Sequence, residues 1–250
     1  MKKKISTHTT HIFIILSITF SIILSRATPA LAMHISEGIL PMPWAIFWTL
    51  LAVPFLIRGL FEIKRKKETL PSYLPLLGMV GAAVFVFSCL PIPVPIAGTC
   101  SHPAGTGLSV ILLGFSPSVM VAAAALLIQA LFLAHGGLTT FGANVFSMGI
   151  MGSVAGLAAF QLGKSMRLPL FWRAFIAGVA ADLVTYLATS VELGLALHGD
   201  QALGKVIATI FISFLPTQLP LCLLEGVLTA GAVVYIYRHR PVVLQKLQVV

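Results

Sequence analysis

Long apolar runs separated by short polar or charged segments make up most of the chain. A helix needs about 20 apolar residues to cross the hydrocarbon core of a bilayer, and most of the runs approach or exceed that length. The third run is short for a span, and Phe115–Ser118, a turn signal, is expected to separate it from the fourth. The pattern predicts an all-α integral membrane protein with about seven transmembrane helices. The runs cover roughly residues 44–61, 73–92, 104–115, 118–135, 141–162, 171–197 and 204–236.

Residues 1–32 have the three parts of a secretory signal peptide. Lys2–Lys4 form a basic start, residues 12–24 are apolar, and Pro29–Ala32 supplies the small residues of an A-x-A cleavage site. The apolar stretch rises only ~20 Å as a helix, less than the ~30 Å of a hydrocarbon core, so an uncleaved anchor is the less favoured alternative. We therefore predict a cleaved signal peptide over 1–32 and a single transmembrane domain over 33–250.

The basic residues predict how the chain lies in the membrane. Cytoplasmic loops are enriched in Lys and Arg, and with seven spans all three basic clusters lie on one side. The mature amino terminus and the 93–103 loop are then outside, and the carboxyl terminus is inside. The clusters comprise Arg58 with Lys64–Lys67, Lys164 with Arg167 and Arg173, and Arg238 with Arg240 and Lys246.

Composition excludes several classes of protein. Hydrophobic residues make up 58% of the chain and charged residues 9%, where soluble domains have about 25% charged residues. The net charge of +9 comes from clusters between apolar runs, so it indicates membrane topology and a lipid partner, with no nucleic acid expected. No GxxxxGK[ST] loop is present for ATP hydrolysis, and no HExxH motif for proteolysis.

Cleavage after Ala32 would create a chelating terminus at Met33 and His34. The free amine of Met33 and the amide of His34 close a five-membered ring on a metal, and that amide closes a six-membered ring with the His34 Nδ1. Such nitrogen donors suit Ni(II), Cu(II) and, less rigidly, Co(II). One position of the roughly planar set stays open for another histidine.

His102 is the first candidate for the open position, because it lies in a Gly- and Pro-rich loop on the predicted outer side. A solvated loop residue is the alternative. His135, near the outer helix ends, is either a reserve ligand or a residue that contacts the ligands without binding the metal itself. Asn144 is a candidate for orienting a histidine ligand. For Asp182 and Glu225, hydrogen bonding that fixes the bundle is favoured over metal binding.

At these residues the sequence resembles a known family. The segment MHISEGILP (33–41) resembles the mature start of CbiM, the substrate-capture subunit of cobalt-type energy-coupling-factor transporters. Further blocks resemble the family in the same order, and the nickel relatives, NikM, share the Met-His start and the loop histidine. The blocks are GTCSHPAGTGL (98–108), LFLAHGGLTTFGAN (131–144), ADLVTYLATSVELG (181–194) and TQLPLCLLEGVLT (217–229).

The resemblance implies a seven-helix bundle into which the amino-terminal loop is inserted. It implies metal ligation by Met33, His34 and His102, with Co(II) as the transported substrate, Ni(II) as the alternative and no prosthetic group. The implied partners are a membrane coupling (T) subunit, two ATP-binding subunits and a small auxiliary membrane protein. The implied setting is the bacterial cytoplasmic membrane, where uptake supplies cobalamin biosynthesis.

Two other classes of function stay open. A membrane scaffold would use the small-residue helices to bind a partner, and its histidines would be incidental. An intramembrane enzyme would need Asp182 or Glu225 as a catalytic carboxylate, but neither has a visible nucleophile or metal partner in the sequence.

The chelating terminus makes a sharp prediction. Appending one residue before Met33 in the mature chain turns its amine into an amide and moves His34 to the third position. We expect cobalt uptake by cells to be abolished while membrane insertion, followed by immunoblot of membranes, is retained. Unchanged uptake would show that the terminus is not part of the site.

Overall fold

We describe a computed structural model of the chain, which covers residues 31–32, 34–89, 92–94, 99–247 and 249. Side chains are described from His34 to Cys89 and from Ser101 onward, except at residues 248 and 250. Met33 and most of the predicted signal peptide lie outside this range. Cleavage after Ala32 and the domain boundary at residue 33 therefore stay predictions.

Helices account for most of the described chain. They are α1 (Met42–Thr69), α2 (Tyr73–Ser88), α3 (Thr106–Leu113), α4 (Phe115–Phe132), α5 (Phe141–Ser165), α6 (Leu170–Leu197), α7 (Leu203–His239) and α8 (Pro241–Lys246). Within α5, Val145–Met151 is a π-helical segment. Each predicted apolar run overlaps one of α1–α7.

Among the described residues, α1, α4, α5, α6 and α7 are long and apolar enough to cross a membrane. With 16 residues, α2 rises about 24 Å, and the eight-residue α3 is much shorter. Large apolar side chains on the outside of the bundle are exposed, with Leu50 67% and Phe61 66% accessible. The chain is therefore a multi-pass membrane protein. Seven crossings and the predicted orientation stay predictions.

The break between α3 and α4 was predicted at the wrong residues. Gly114, with a φ of 85°, separates the two helices, and Phe115–Ser118 forms the first turn of α4. Proline is tolerated in the first turn because the amide hydrogen that it lacks has no partner within the helix there. Pro117 therefore lies in the first turn of a helix instead of marking a loop.

Small residues hold α3 in the centre of the bundle. A Cβ at Gly107 would lie 2.6 Å from the Cα of Gly178 in α6. A Cβ at Gly152 of α5 would lie 2.6 Å from the Thr185 Oγ1 and 2.9 Å from the Thr106 Oγ1. Glycine at these positions lets the helix backbones approach closely, which is how helices associate in lipid.

A small sheet lies beside the helices at the end of the molecule where α2 ends and α3 begins. It contains β1 (Leu31–Ala32), β2 (Ile92–Val94) and β3 (Thr99–Ser101), in the order β1-β3-β2. β1 runs parallel to β3, with Ala32 opposite Cys100. The pairing brings Ala32, the last residue of the predicted signal peptide, beside the strand that leads into His102.

Candidate metal centre

Three histidines from separate segments meet in the bundle. His34 precedes α1, His102 follows β3, and His135 lies in the loop after α4. Their ring centroids are 4.7 Å apart for His34 and His102, 5.0 Å for His34 and His135, and 5.2 Å for His102 and His135. One ring nitrogen from each lies within 4.8 Å of the other two. The arrangement offers three imidazole nitrogens to one small cation.

A hydrogen-bond chain sets which nitrogen of His34 carries the proton. The Ser88 hydroxyl donates to the Phe85 carbonyl and accepts from the Gln129 Nε2 at 2.7 Å. The Gln129 Oε1, which can only accept, therefore faces the His34 Nε2 at 3.0 Å. The neutral ring donates from Nε2, so its Nδ1 keeps the free electron pair. That nitrogen is the one that chelation with the backbone amide requires.

His102 has the opposite tautomer. Its Nδ1 lies 3.0 Å from the carbonyl oxygen of Pro103, which can only accept a hydrogen bond, so Nδ1 carries the proton. Its Nε2 is buried and has no hydrogen-bond partner among the described residues. Buried polar atoms are nearly always paired, so an unpaired Nε2 beside two other imidazoles indicates a place for a ligand.

Burial keeps all three rings neutral. Together with the nearby His135, it lowers the pKa of His102 to about 3. It also holds the pKa of His34 well below its ordinary value, with additional lowering from His102 and His135. The pKa of His135 is lowered by burial as well. Since a histidine must be deprotonated to bind a metal, the cluster is in its binding form at neutral pH.

The segment after His34 is held inside the bundle by side chains of the α4–α5 connection and of α5. The Asn144 Oδ1 accepts from the Ile35 amide at 2.7 Å, and its Nδ2 donates to the Ile35 carbonyl at 3.1 Å. The Thr140 hydroxyl donates to the same carbonyl at 2.5 Å. These bonds satisfy a backbone that water does not reach, because Ile35 is buried.

Glycines in the α4–α5 connection allow it to approach this segment. Gly136 has a φ of 82°, and a Cβ there would lie 3.2 Å from the Cβ of His34. A Cβ at Gly137 would lie 2.7 Å from the backbone of Glu37. The carboxylate of Glu37 accepts from the Thr139 amide and hydroxyl at 3.1 and 2.5 Å. The connection that carries His135 is thereby fastened to the segment that carries His34.

A carboxylate holds the loop that carries His102. Glu225 of α7 is fully buried, and it accepts hydrogen bonds from the amides of Ala104 at 2.6 Å and Gly105 at 3.0 Å. Asp182 of α6 accepts a hydrogen bond from Gln218 of α7. Both carboxylates therefore make the hydrogen bonds between elements that the sequence favoured for them. Among the described residues, neither belongs to the three-histidine group.

Comparison with known proteins identifies the family. The family model described as "Cobalt uptake substrate-specific transmembrane region", CbiM, matches residues 34–243. The chain belongs to the CbiM family. The "Cobalt transport protein CbiM" of Sorangium cellulosum is 50% identical over 218 residues, which are 87% of this chain and 97% of that protein. The protein of the same name from Geobacter sulfurreducens is 50% identical over 224 residues, 90% of this chain and 65% of the relative.

Solved structures have the same fold. The chain is similar to a protein described as "Crystal Structure of an Truncated Transition metal Transporter", with a TM-score of 0.71 and 26% sequence identity. The match covers 82% of this chain and 99% of that one. The CbiM assignment made from the sequence blocks is thus confirmed by comparison along nearly the whole domain.

The structure brings together most of the residues that the sequence singled out. His34 and His102 are neighbours, His135 joins them as a third ring, and Asn144 binds the backbone next to His34. Met33 lies outside the described residues, so its part in the site stays a prediction. Sequence reasoning missed Gln129. Its signal was one amide side chain within the apolar run 118–135.

Asn144→Ala should loosen the segment that carries His34. Both Ile35 backbone groups lose a partner, and an unsatisfied buried group costs ~1–3 kcal/mol. Hydrogen exchange of the 34–40 peptide in the solubilised protein should become at least about tenfold faster. Ser147→Ala is the matched control, since its hydroxyl bonds to carbonyls of its own helix and to Glu192, and to no described atom of the 34–40 segment. Equal exchange in the two variants would contradict the role of Asn144.

Proposed function

We propose that the chain captures Co(II) outside the cytoplasmic membrane and is the substrate-binding subunit of an ATP-driven energy-coupling-factor transporter. The observation that carries this proposal is the convergence of His34, His102 and His135 in a buried cluster. Support comes from the names of the Sorangium and Geobacter relatives, both cobalt transport proteins. Transition-metal transport in the structural neighbour agrees with the same class of substrate.

The proposed coordination uses four nitrogens. They are the Met33 amine of the processed chain, the His34 amide and Nδ1, and the His102 Nε2. The two tautomers argued above leave electron pairs on the required ring nitrogens. Ala32, the residue before the proposed terminus, pairs with Cys100, which precedes His102 by two residues. Cleavage of the signal peptide is then an activation step, because only a free amine completes the set.

We take the names of the relatives, together with the third imidazole, as support for cobalt over nickel. A planar set of amine, amide and imidazole nitrogens suits Ni(II), and affinity for a given site generally rises from Co to Ni. His135 adds a donor outside the chelating dipeptide, and Co(II) accepts five or six ligands more readily than planar Ni(II) does. We therefore assign Co(II) as the substrate and keep Ni(II) as the alternative.

Release of the metal needs energy from other proteins. The sequence has no Walker loop, so we propose that two ATP-binding subunits, a membrane coupling subunit and a small auxiliary membrane protein complete the transporter. Its location would be the bacterial cytoplasmic membrane, and the cobalt would supply cobalamin biosynthesis. A scaffold without transport would bind no stoichiometric metal, which separates that class from the present proposal.

The first test measures metal bound by the purified, processed protein. His102→Ala should reduce Co(II) from one equivalent to a small fraction of that value. Gln129→Leu removes the acceptor that orients His34, and loss of such an outer partner typically weakens metal binding about 10–100-fold. Both are measured by elemental analysis and by calorimetric titration.

Two variants serve as controls for that test. His198→Ala removes a histidine that lies outside the cluster, and Gln201→Leu removes an exposed glutamine. Both should bind like the unaltered protein. Full Co(II) occupancy in His102→Ala, in protein with an unchanged melting temperature, would disprove the proposed site.

The second test separates the two metals. His135→Ala removes the donor that we assign to the higher coordination of cobalt. We expect Co(II) affinity to fall by about tenfold or more while Ni(II) affinity changes little, because Ni(II) is satisfied by the planar set. Competition titrations of the purified variant with both ions measure the ratio. Equal losses for the two metals would make His135 a packing residue.

A further inference from the structure

A second site lies away from the histidines, where several helices end. A cavity of about 480 Å³ is lined there by the side chains of Arg65, Lys66, Lys164 and Lys246. We call it the basic cavity. Its volume falls within the roughly 300–1,000 Å³ of small-molecule sites. It lies where α1, α3 and α5 end, next to the start of α2 and to the short α8. Of these helices, α1 and α5 are long and apolar enough to span a membrane, and the ends of a spanning helix lie near the lipid headgroups.

The charges of the basic cavity are incompletely neutralised. Lys66 pairs with Glu62 at 3.1 Å and donates to the Leu113 carbonyl at 2.6 Å. Arg65, Lys164 and Lys246 form no ion pair within the described part of the chain. The residues that line the cavity include none with a carboxylate side chain. Three cations without an ion pair in a concave site favour an anionic ligand.

An apolar cavity adjoins the basic one. Its volume is about 250 Å³, and Leu76, Met79 and Val242 are among the residues that line it. The two cavities share Leu70, Tyr73, Lys246 and Leu247 as walls. The shared walls place a cationic cavity directly beside an apolar one, and we call the pair the recess. A free phosphate would use only the first part, and an amphiphile with an acyl chain would use both.

Tyr73 is a second sign of a missing polar ligand. Its side chain is 1% accessible, and its hydroxyl has no hydrogen-bond partner among the described residues. Because Tyr73 lies in the wall common to both cavities, a phosphate ester bound there would be near its hydroxyl. Thr69 and Gln161, which also line the basic cavity, add polar groups for a headgroup.

We propose that this recess binds an anionic phospholipid, with the phosphate headgroup in the basic cavity and part of an acyl chain in the apolar cavity. The chemistry is that of a phosphodiester attached to an aliphatic chain. Basic recesses between transmembrane helices attract such headgroups, and each Lys or Arg near an anionic membrane surface adds to the attraction. The site is independent of the metal-binding proposal.

The test uses the full chain reconstituted in bilayer discs of phosphatidylcholine and phosphatidylglycerol in equal amounts. Native mass spectrometry counts the lipids retained after extraction. The unaltered protein should retain phosphatidylglycerol selectively, and the Lys164→Ala, Lys246→Ala double variant should retain roughly tenfold less. Both lysines are exposed, so their truncation leaves the core intact. The control is Lys67→Ala with Arg238→Ala, exposed bases outside both cavities, and it should behave like the unaltered protein.

A second variant tests the acyl chain. Leu76→Trp fills the apolar cavity and should reduce retention of phosphatidylglycerol, whereas Leu74→Trp, on the same helix outside the cavity, should not. Inorganic phosphate should fail to displace the lipid. Equal retention by the lysine double variant and its control would overturn the proposal.

Two further results would also overturn it. Complete displacement by inorganic phosphate, with no effect of Leu76→Trp, would assign the basic cavity to free phosphate. Loss of co-purifying partner subunits in the lysine double variant, with lipid retention unchanged, would assign the surface to protein docking.

Discussion

Backbone that is buried in a membrane protein has to find its hydrogen-bond partners within the protein, and the histidine cluster depends on this constraint. The segment after His34 is not helical, yet Ile35 is buried, and Asn144 and Thr140 take the place of water for its amide and carbonyl. Glu225 does the same for the loop after His102. These partners let two irregular segments enter the bundle and bring their imidazoles together.

The same polar contacts give the site its chemistry. A metal needs unprotonated nitrogens pointing at one place, and in two of the three rings an acceptor on the other nitrogen sets which one is unprotonated. Gln129 fixes His34 through Nε2, and the Pro103 carbonyl fixes His102 through Nδ1. The free electron pairs are then on Nδ1 of His34 and on Nε2 of His102. Helix packing supplies the rigidity, because Gly107 and Gly152 hold α3 tightly against α5 and α6.

The molecule has two polar regions that differ in charge and therefore in the ligands that they favour. The histidine cluster is buried and neutral, which suits capture of a cation by electron pairs. The basic cavity is cationic and lies where α1, α3 and α5 end, which suits an anion from the bilayer. The short helix α3 runs between the two regions: its first residues follow the His102 loop, and its last carbonyl oxygens lie at the basic cavity.

The sequence by itself determined the helical segments and the family, and it singled out His34 and His102 as candidate ligands. The features behind these predictions, namely apolar runs, motif blocks and a two-residue chelate, are all local along the chain. It predicted the break between α3 and α4 at Phe115–Ser118, whereas the break is at Gly114. Pro117 looked like a turn residue but is compatible with the first turn of a helix. Only the tertiary structure decided that His135 joins the cluster, that Gln129 orients His34, and that four basic residues surround one cavity. Gln129 and His34 are 95 positions apart. Such contacts depend on how the helices pack, and no spacing along the chain encodes that packing.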